Sequence, residues 1–324
     1  MRCAQCIGHT CPVNAKAGTH NTFIPRALAT GRADLLTHAQ VIRLEHAGRR
    51  VTGVRVVIET PSGPVERLIA ADRVVAAAGA LETPRLLFAS GLGNGWVGRN
   101  HHSHGFAAAI AGETPPGAKA DVGPGHSVAT LEFLHRDHEA WGGGVLFDLV
   151  PSYPVARAVA GMARAERRWG APHKAWMRTS GVPLGTMSMV QEIPHVATRV
   201  ALDPVVRDRY GMPVVRARGV AHPASAEAAD YMAHHGRVWL EAAGARDIQT
   251  LAIPTTPQGT EHSAGTARMA RDPDVGACDA RGRLFGVENV YVADASLHPT
   301  NGGFNPALTV IANAMRVTRL ILSE

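Results

Sequence analysis

No apolar run in this 324-residue chain is long enough to span a bilayer, which takes about 20 residues. No basic stretch followed by an apolar one opens it, so no secretory leader is read and the expected compartment is the cytoplasm. Aromatic residues are scarce at 5%, and the net charge of +6 comes almost wholly from scattered arginines. A nucleic-acid face needs a basic stripe interleaved with stacking rings, and none is present. There is no internal repeat. The chain is 45% hydrophobic and 19% charged, enough to bury a core, and its length suggests about two domains.

Cysteine is also sparse. Cys3, Cys6 and Cys11 form C-x-x-C-x4-C, and Cys278 stands far off in sequence. Such a start fits a zinc site, an iron–sulfur site or a redox pair. Three thiols are one ligand short, which His9 could supply. The expectation is packed thiols and no metal, with a disulfide open if the protein is exported.

A dinucleotide fingerprint is missing from its proper context. Gly93-Asn94-Gly95-Trp96-Val97-Gly98 spells G-x-G-x-x-G. It follows a helical-looking run at 84–90 and precedes a polar, histidine-rich stretch, whereas the motif counts only between a strand and a helix. It is read as a glycine-rich loop.

What is present falls into three parts. A short helix is expected at 24–29. Residues 41–44 and 51–59 read as strands joined at Gly48-Arg49-Arg50, with a third at 65–69 after the turn Pro61-Ser62-Gly63-Pro64. The apolar run 72–78 predicts a buried parallel strand turning at Gly79-Ala80 into a helix that starts near Thr83-Pro84. The middle is rich in proline and glycine, with strands expected at 144–149, 186–191, 198–202 and 214–220, and a helix at 224–243 ended by Gly244. At the far end, 290–293 is strand-like and stops at Asp294-Ala295-Ser296. Asn305 and Pro306 stand where an N-cap and a first helical residue would. Leu308, Ile311, Met315, Val317 and Leu320 then recur at helical spacing. Ligands in open α/β sheets sit beyond strand carboxyl ends, against helix N-termini. Both the 78–79 and 294–295 strand ends qualify, and a titratable loop histidine, His262, lies upstream.

These residues resemble the glucose–methanol–choline (GMC) family of flavin oxidoreductases. His262-Ser263-Ala264-Gly265-Thr266, then Val292-Ala293-Asp294-Ala295-Ser296 through Pro299, then Asn305, are similar to the family's closing motifs. Gly79-Ala80-Leu81-Glu82-Thr83-Pro84 through Ser90-Gly91-Leu92-Gly93 resembles its second signature. Val97-Gly98-Arg99-Asn100 with His104 resembles another stretch. Arg199-Val200-Ala201-Leu202-Asp203-Pro204 and Asp208-Arg209-Tyr210-Gly211-Met212-Pro213 match its structural landmarks, while residues 111–190 match loosely.

The resemblance implies a fold that is α/β plus α+β. Residues 1–110 and 261–324 would form a discontinuous, incomplete FAD-binding Rossmann-like domain, and 111–260 a substrate domain built on an antiparallel sheet. It resembles the C-terminal portion of such an enzyme without the G-x-G-x-x-G segment. It implies FAD as cofactor and oxidation of a small-molecule alcohol (a CH–OH donor, sugar-, sterol- or alcohol-like) by hydride transfer to the flavin. His262 would be the base and Asn305 the group orienting the substrate oxygen. Cofactor contacts would fall at Val41, Ala78, Gly79, Asp294, Ala295, Asn305, Pro306 and Thr309. For Asn305 a capping role, and for Asp294 a turn role, stay open beside these. A separately encoded N-terminal FAD-binding segment, or an electron acceptor, would be the partner. Two other readings stand: a remnant acting as a non-enzymatic module, and a flavin/iron–sulfur dehydrogenase subunit.

Overall fold

Alternating β-branched residues at 51–58 place one face of a strand in the core and make it the centre of a three-stranded antiparallel sheet. β1 (Ala39–Ala47), β2 (Arg50–Thr60) and β3 (Gly63–Ala70) lie in sequence order. The computed structural model describes residues 11–115, 126–135, 142–149, 165–179, 184–254 and 262–324, with positions 158 and 162. A two-residue loop closes β1 on β2, with Ala47 opposite Arg50 and Gly48 at φ +59°, a conformation that glycine adopts without steric cost. Leu44, Val51 and Val56 are buried beneath this sheet. A short helix, α1 (Phe23–Leu28), precedes it.

The second layer is a pair of short parallel strands, β4 (Val74–Ala76) and β12 (Val290–Val292), brought together across more than two hundred residues. α2 (Gly79–Ala89) leaves β4, four residues earlier than the sequence suggests, because Gly79 takes φ +85° and turns the chain at once. Pro84 therefore lies inside the helix. It has no N–H for the Ala80 carbonyl one turn back. The hydroxyl of Thr266 donates to that carbonyl instead, at 2.7 Å.

The third unit is a five-stranded antiparallel sheet of β5 (His104–Glu113), β6 (Ala129–Thr130), β7 (Gly144–Leu149), β8 (Gly185–Gln191) and β11 (Arg246–Ile253), in the order β11-β5-β8-β7-β6. A helix, α3 (Gly170–Thr179), falls between β7 and β8 in sequence. α4 (Pro223–Ala242) packs on the sheet. A Cβ added at Gly236 would lie 2.5 Å from Thr186 Oγ1 and 3.4 Å from Ala109 Cβ. That close approach accounts for the alanines of β5. Sequence patterning missed β5, β11 and α3; β5 escaped because alanine is a poor strand signal. The expected domain boundary at 110/111 falls inside β5. A separate hairpin, β9 (Arg199–Arg207) with β10 (Pro213–Arg218), is held to α2 through Arg85. That side chain donates to Pro213 O, Met212 O and the Asp208 carboxylate, at 2.7, 3.3 and 2.6 Å. The expected combination of a parallel α/β piece with an antiparallel α+β unit is thus present.

Two features of β4 matter later. Val74 N donates to Asn289 O and Ala76 O accepts from Ala293 N. In a parallel ladder Val75 then directs its own N–H and C=O to the opposite edge, where no described strand pairs. On the face Val75 shares with Tyr291, its register partner, Tyr291 is covered and Val75 is 48% exposed. The last helix, α5 (Ala307–Leu322), buries Val317 and Ile321 and leaves Leu308, Ile311, Met315 and Leu322 exposed.

Asn289 joins the first two layers. Its Oδ1 accepts from Val51 N at 2.9 Å, and its Nδ2 donates to Val51 O and Asp72 O at 2.7 Å each. It is 3% exposed, so removal leaves several buried backbone groups without partners, each costing about 1–3 kcal/mol. Asn289→Ala is expected to lower unfolding stability by about 2–4 kcal/mol, read from urea midpoints. A loss below about 1 kcal/mol would mean that these layers are held by packing alone.

Candidate functional site

Where β12 ends, Asp294 faces four donors. Oδ2 accepts from Gly79 N at 2.8 Å and from Thr83 Oγ1 at 2.6 Å. Oδ1 accepts from Ser296 N at 2.8 Å and from the Ser296 hydroxyl. A carboxylate has about four lone-pair sites, so none is left for a ligand hydroxyl. The negative charge also sits at the N-terminus of α2, where the helix dipole favours it and where it opposes a second anion. Asp294 thus fixes α2 against the short 3-10 turn Ala295–Leu297. Gly79 spends its N–H there, and Ala295 offers its carbonyl to Gly265 N at 3.1 Å.

That last bond starts the seating of the His262 loop. Ala264 N donates to His102 O at 2.8 Å, His102 N to Ala264 O at 3.2 Å, and Ala267 N to Ser296 O at 2.9 Å. Gly265 holds φ +86°, and a Cβ there would lie 2.4 Å from Asn100 O and 2.5 Å from the His102 ring. Only glycine fits so close an approach. Thr266, fully buried, reaches α2 through its hydroxyl and Gly98 N through its carbonyl, the latter at 2.6 Å. The loop is therefore anchored to the turn after β12, to α2 and to the segment before β5.

The imidazole of His262 meets His104 edge to face, with ring centroids 5.0 Å apart and planes at 88°. Asn301 Nδ2 donates to the His262 carbonyl at 2.6 Å, and Asn301 Oδ1 lies 3.2 Å from His298 Nδ1. His101 Nε2 is 3.2 Å from Ser263 Oγ, and His102 Nδ1 is 2.8 Å from Asn100 O. Ser103 N donates to the buried Glu192 carboxylate at 2.9 Å. His101, His102, His104 and His298 are all at most 3% exposed. Burial pushes His101, His102 and His104 down to about 4. For His104 the neighbouring His262 adds to that effect. These rings are neutral at physiological pH. Among the described residues no group of three or more His, Cys, Asp and Glu side chains is arranged to hold a metal.

Two of the expected cofactor residues share a wall. Val41 and Ala78 line a cavity of about 570 Å³ with Ala39, Leu44, Val54 and Val75 at the carboxyl end of β4. At the start of α5, Pro306 rather than Asn305 holds the N-cap position, and no side chain caps the helix. Asn305 is therefore not the cap that its place before Pro306 suggests; it is exposed, and its amide is left for other use. Ala307, Leu308 and Thr309 are exposed as well, so the first turn of α5 offers unshared backbone N–H groups. An apolar wall large enough for a ring system and an uncapped helix N-terminus each fit a part of FAD; Asp294 keeps the diphosphate off α2.

The glycine-rich stretch 93–98 is a loop, as expected. A Cβ on Gly98 would lie 2.4 Å from Val200 O and 2.7 Å from the Phe88 ring. Asn94 is spent on Pro273 O and Gly276 O. Cys3, Cys6 and His9 lie outside the described residues. Cys11 is a half-buried free thiol, and Cys278 is a free thiol in the core whose pKa burial pushes up. Sequence reasoning missed Asn301, Thr83 and Thr266 as parts of the site. Thr83 and Thr266 stood inside quoted motifs, but nothing marked their hydroxyls as ties between segments. Asn301 sits in a Gly/Asn turn that reads only as a loop.

Two family models described as GMC oxidoreductase match residues 1–106 and 194–314. The 6'''-hydroxyparomomycin C oxidase of Streptomyces lividus is 28% identical over 339 residues, covering 100% of this chain and 58% of its own length. The 2-methyl-1,2-propanediol dehydrogenase of Mycolicibacterium austroafricanum is 28% identical over 320 residues, covering 94% of this chain and 57% of its own. A solved FAD-dependent oxidoreductase from Chaetomium thermophilum superposes with a TM-score of 0.61 at 14% identity, over 92% of this chain and 63% of that one. The chain thus spans a little under three-fifths of these curated relatives.

The histidine burial sets a pH dependence. Unfolded histidines titrate near 6.5, whereas His101, His102 and His104 hold no proton in the fold until about pH 4. Between those values the unfolded chain binds more protons, so stability is full above about 6.5 and falls as pH falls. The slope is about 1.4 kcal/mol per pH unit for each ring. Thermal melts from pH 7.5 to 4.5 are expected to show this acid loss, and His102→Gln to shallow it. A midpoint flat across that window would contradict the assignment.

Proposed function

The chain belongs to the GMC oxidoreductases, and from that premise we propose that it supplies the acid–base residues and one wall of the cofactor cleft for FAD-dependent oxidation of an alcohol. The observation that carries this reading is the His262 loop. Its backbone is anchored directly after His262, through Ala264 to His102 and through Gly265 to Ala295. A side chain on a loop so constrained keeps its place while a substrate enters and leaves.

FAD, when bound, would supply the acceptor for the hydride that leaves the carbinol carbon. His262 takes the hydroxyl proton; imidazole does so near neutral pH without much tuning. Asn305, exposed and not capping α5, orients the substrate oxygen through its amide. Val41 and Ala78 would line one wall of the cofactor site, and the first turn of α5, at Pro306 and Thr309, would favour the negative charge of a reduced flavin. Gly79, Asp294 and Ala295 hold these parts in register. His104 shields one side of His262 from water.

The diphosphate end of FAD is gripped elsewhere. Residues 93–98 are committed to packing, and Asp294 occupies the N-terminus of α2. The bare Val75 edge of β4 and the exposed α5 stripe of Leu308, Ile311, Met315 and Leu322 support a further strand and helix completing this layer. Parallel strands are ordinarily covered on both faces. On this reading the 324 residues alone bind FAD weakly, and the active form carries it non-covalently. No described helix is long and apolar enough to cross a membrane.

In a flavin-loaded form, His262→Ala is expected to keep the flavin and slow its reduction by alcohol about 10²–10⁴-fold, with reoxidation little changed. Asn305→Ala is expected to slow reduction less, with stability within about 0.5 kcal/mol of wild type, since it removes no cap. Stopped-flow absorbance at the flavin band measures both. Reduction of His262→Ala at the wild-type rate would move the base to another of the site's histidines.

A further inference from the structure

His298 and Asn301 take no part in the chemistry proposed above, yet both are tied to the loop that carries it. Asn301 donates from Nδ2 to the His262 carbonyl at 2.6 Å. A carbonyl only accepts, so the amide nitrogen must be the end that faces it; the reversed amide would set oxygen against oxygen. Asn301 Oδ1 is thereby left facing His298 Nδ1 at 3.2 Å. An amide oxygen cannot donate, so Nδ1 of His298 carries the proton. In the neutral form the lone pair is then on Nε2, which is buried and finds no hydrogen-bond partner among the described residues.

The root of this chain of bonds is equally fixed. His298 N donates to Ala295 O at 3.1 Å, closing the short turn that Asp294 caps. The ring is 3% exposed. Position therefore passes from β12 through the turn to the His298 ring, from the ring to the Asn301 amide, and from the amide to the peptide plane after His262. That plane sets ψ of His262, and with it the direction of the Cβ bond that carries the imidazole.

We infer that His298 and Asn301 are positioning residues, a strut that orients His262 toward the substrate hydroxyl. The inference rests on the reading of His262 as base. It assigns a tautomer as well as a role: His298 is the Nδ1–H form, with Asn301 Oδ1 as the group that selects it.

Two measurements test it. Long-range proton–nitrogen NMR on the ¹⁵N-histidine-labelled 324-residue chain needs no flavin. His298 is expected as the Nδ1–H tautomer in wild type, and as mainly Nε2–H in Asn301→Ala. In the flavin-loaded form, Asn301→Ala is expected to lower the limiting rate of flavin reduction about 10–100-fold, the scale of a misplaced reacting group. KM should stay within about twofold. Asn301→Asp, which sets a carboxylate against the His262 carbonyl, should be at least as slow. His298→Asn keeps a donor and should recover part of what His298→Ala loses. An Nε2–H ring in wild type, or a wild-type rate in Asn301→Ala, would overturn the inference and leave the base reading intact. A wild-type rate in His262→Ala would remove both.

Discussion

The carboxylate of Asp294 is the interaction on which the rest of the structure depends. One side chain accepts four hydrogen bonds, two from the start of α2 and two from the turn after β12. Charge-assisted bonds of this kind are roughly twice as strong as neutral ones. They are placed where two parallel strands of three residues each could not by themselves hold two helices in register. The His262 loop, the Ala295 carbonyl and the His298 turn all take their position from that junction. Asp208 does a similar service for the β9–β10 hairpin. It accepts from Gln40, from Arg85 and from the Tyr210 and Met212 amides. Burial alone would raise its pKa, yet these bonds hold it below the usual value.

Much of this was legible in the sequence where chemistry and period coincide. β2 shows as alternating β-branched residues, β4 as an apolar run before Gly79, and α4 as a helical span ended by Gly244. The His262 loop and the 294–296 turn stood out because their motifs recur in order. β5 did not, because its inward positions are alanines chosen for the close approach of α4, and strand propensity records packing only where side chains are large. The start of α2 was misplaced because Pro84 looked like a first helical residue; its missing N–H is compensated from a loop nearly two hundred residues away, which no local window can contain. Asn305 misled for a related reason. Cap preference counts side-chain chemistry, but Pro306 takes the cap position with φ −86° and ψ −3°.

The roles of single residues divide along the same line. His262 was found by type and context. Asn301 and His298 emerge only from the direction of two hydrogen bonds, and their meaning turns on which atom of an amide can donate. His101, His102 and His104 stand in the polar stretch that follows the glycine-rich loop. In the fold they are a set of neutral, buried rings packed under the loop, polar enough to anchor backbone groups and uncharged enough to be buried.

Pro84 and Thr266 form a pair whose members constrain each other's variation. As long as residue 84 has no N–H, the Ala80 carbonyl depends on the Thr266 hydroxyl, and the loop holding His262 is tethered to α2. A residue with an N–H at position 84 would satisfy that carbonyl within the helix and make the tether redundant. Helix propensity would count such a change as an improvement, yet its effect would depend on what stands at position 266. Variation at the two positions is therefore coupled: with proline at 84, an irregular turn of helix and a loop remote in sequence answer to one hydrogen bond.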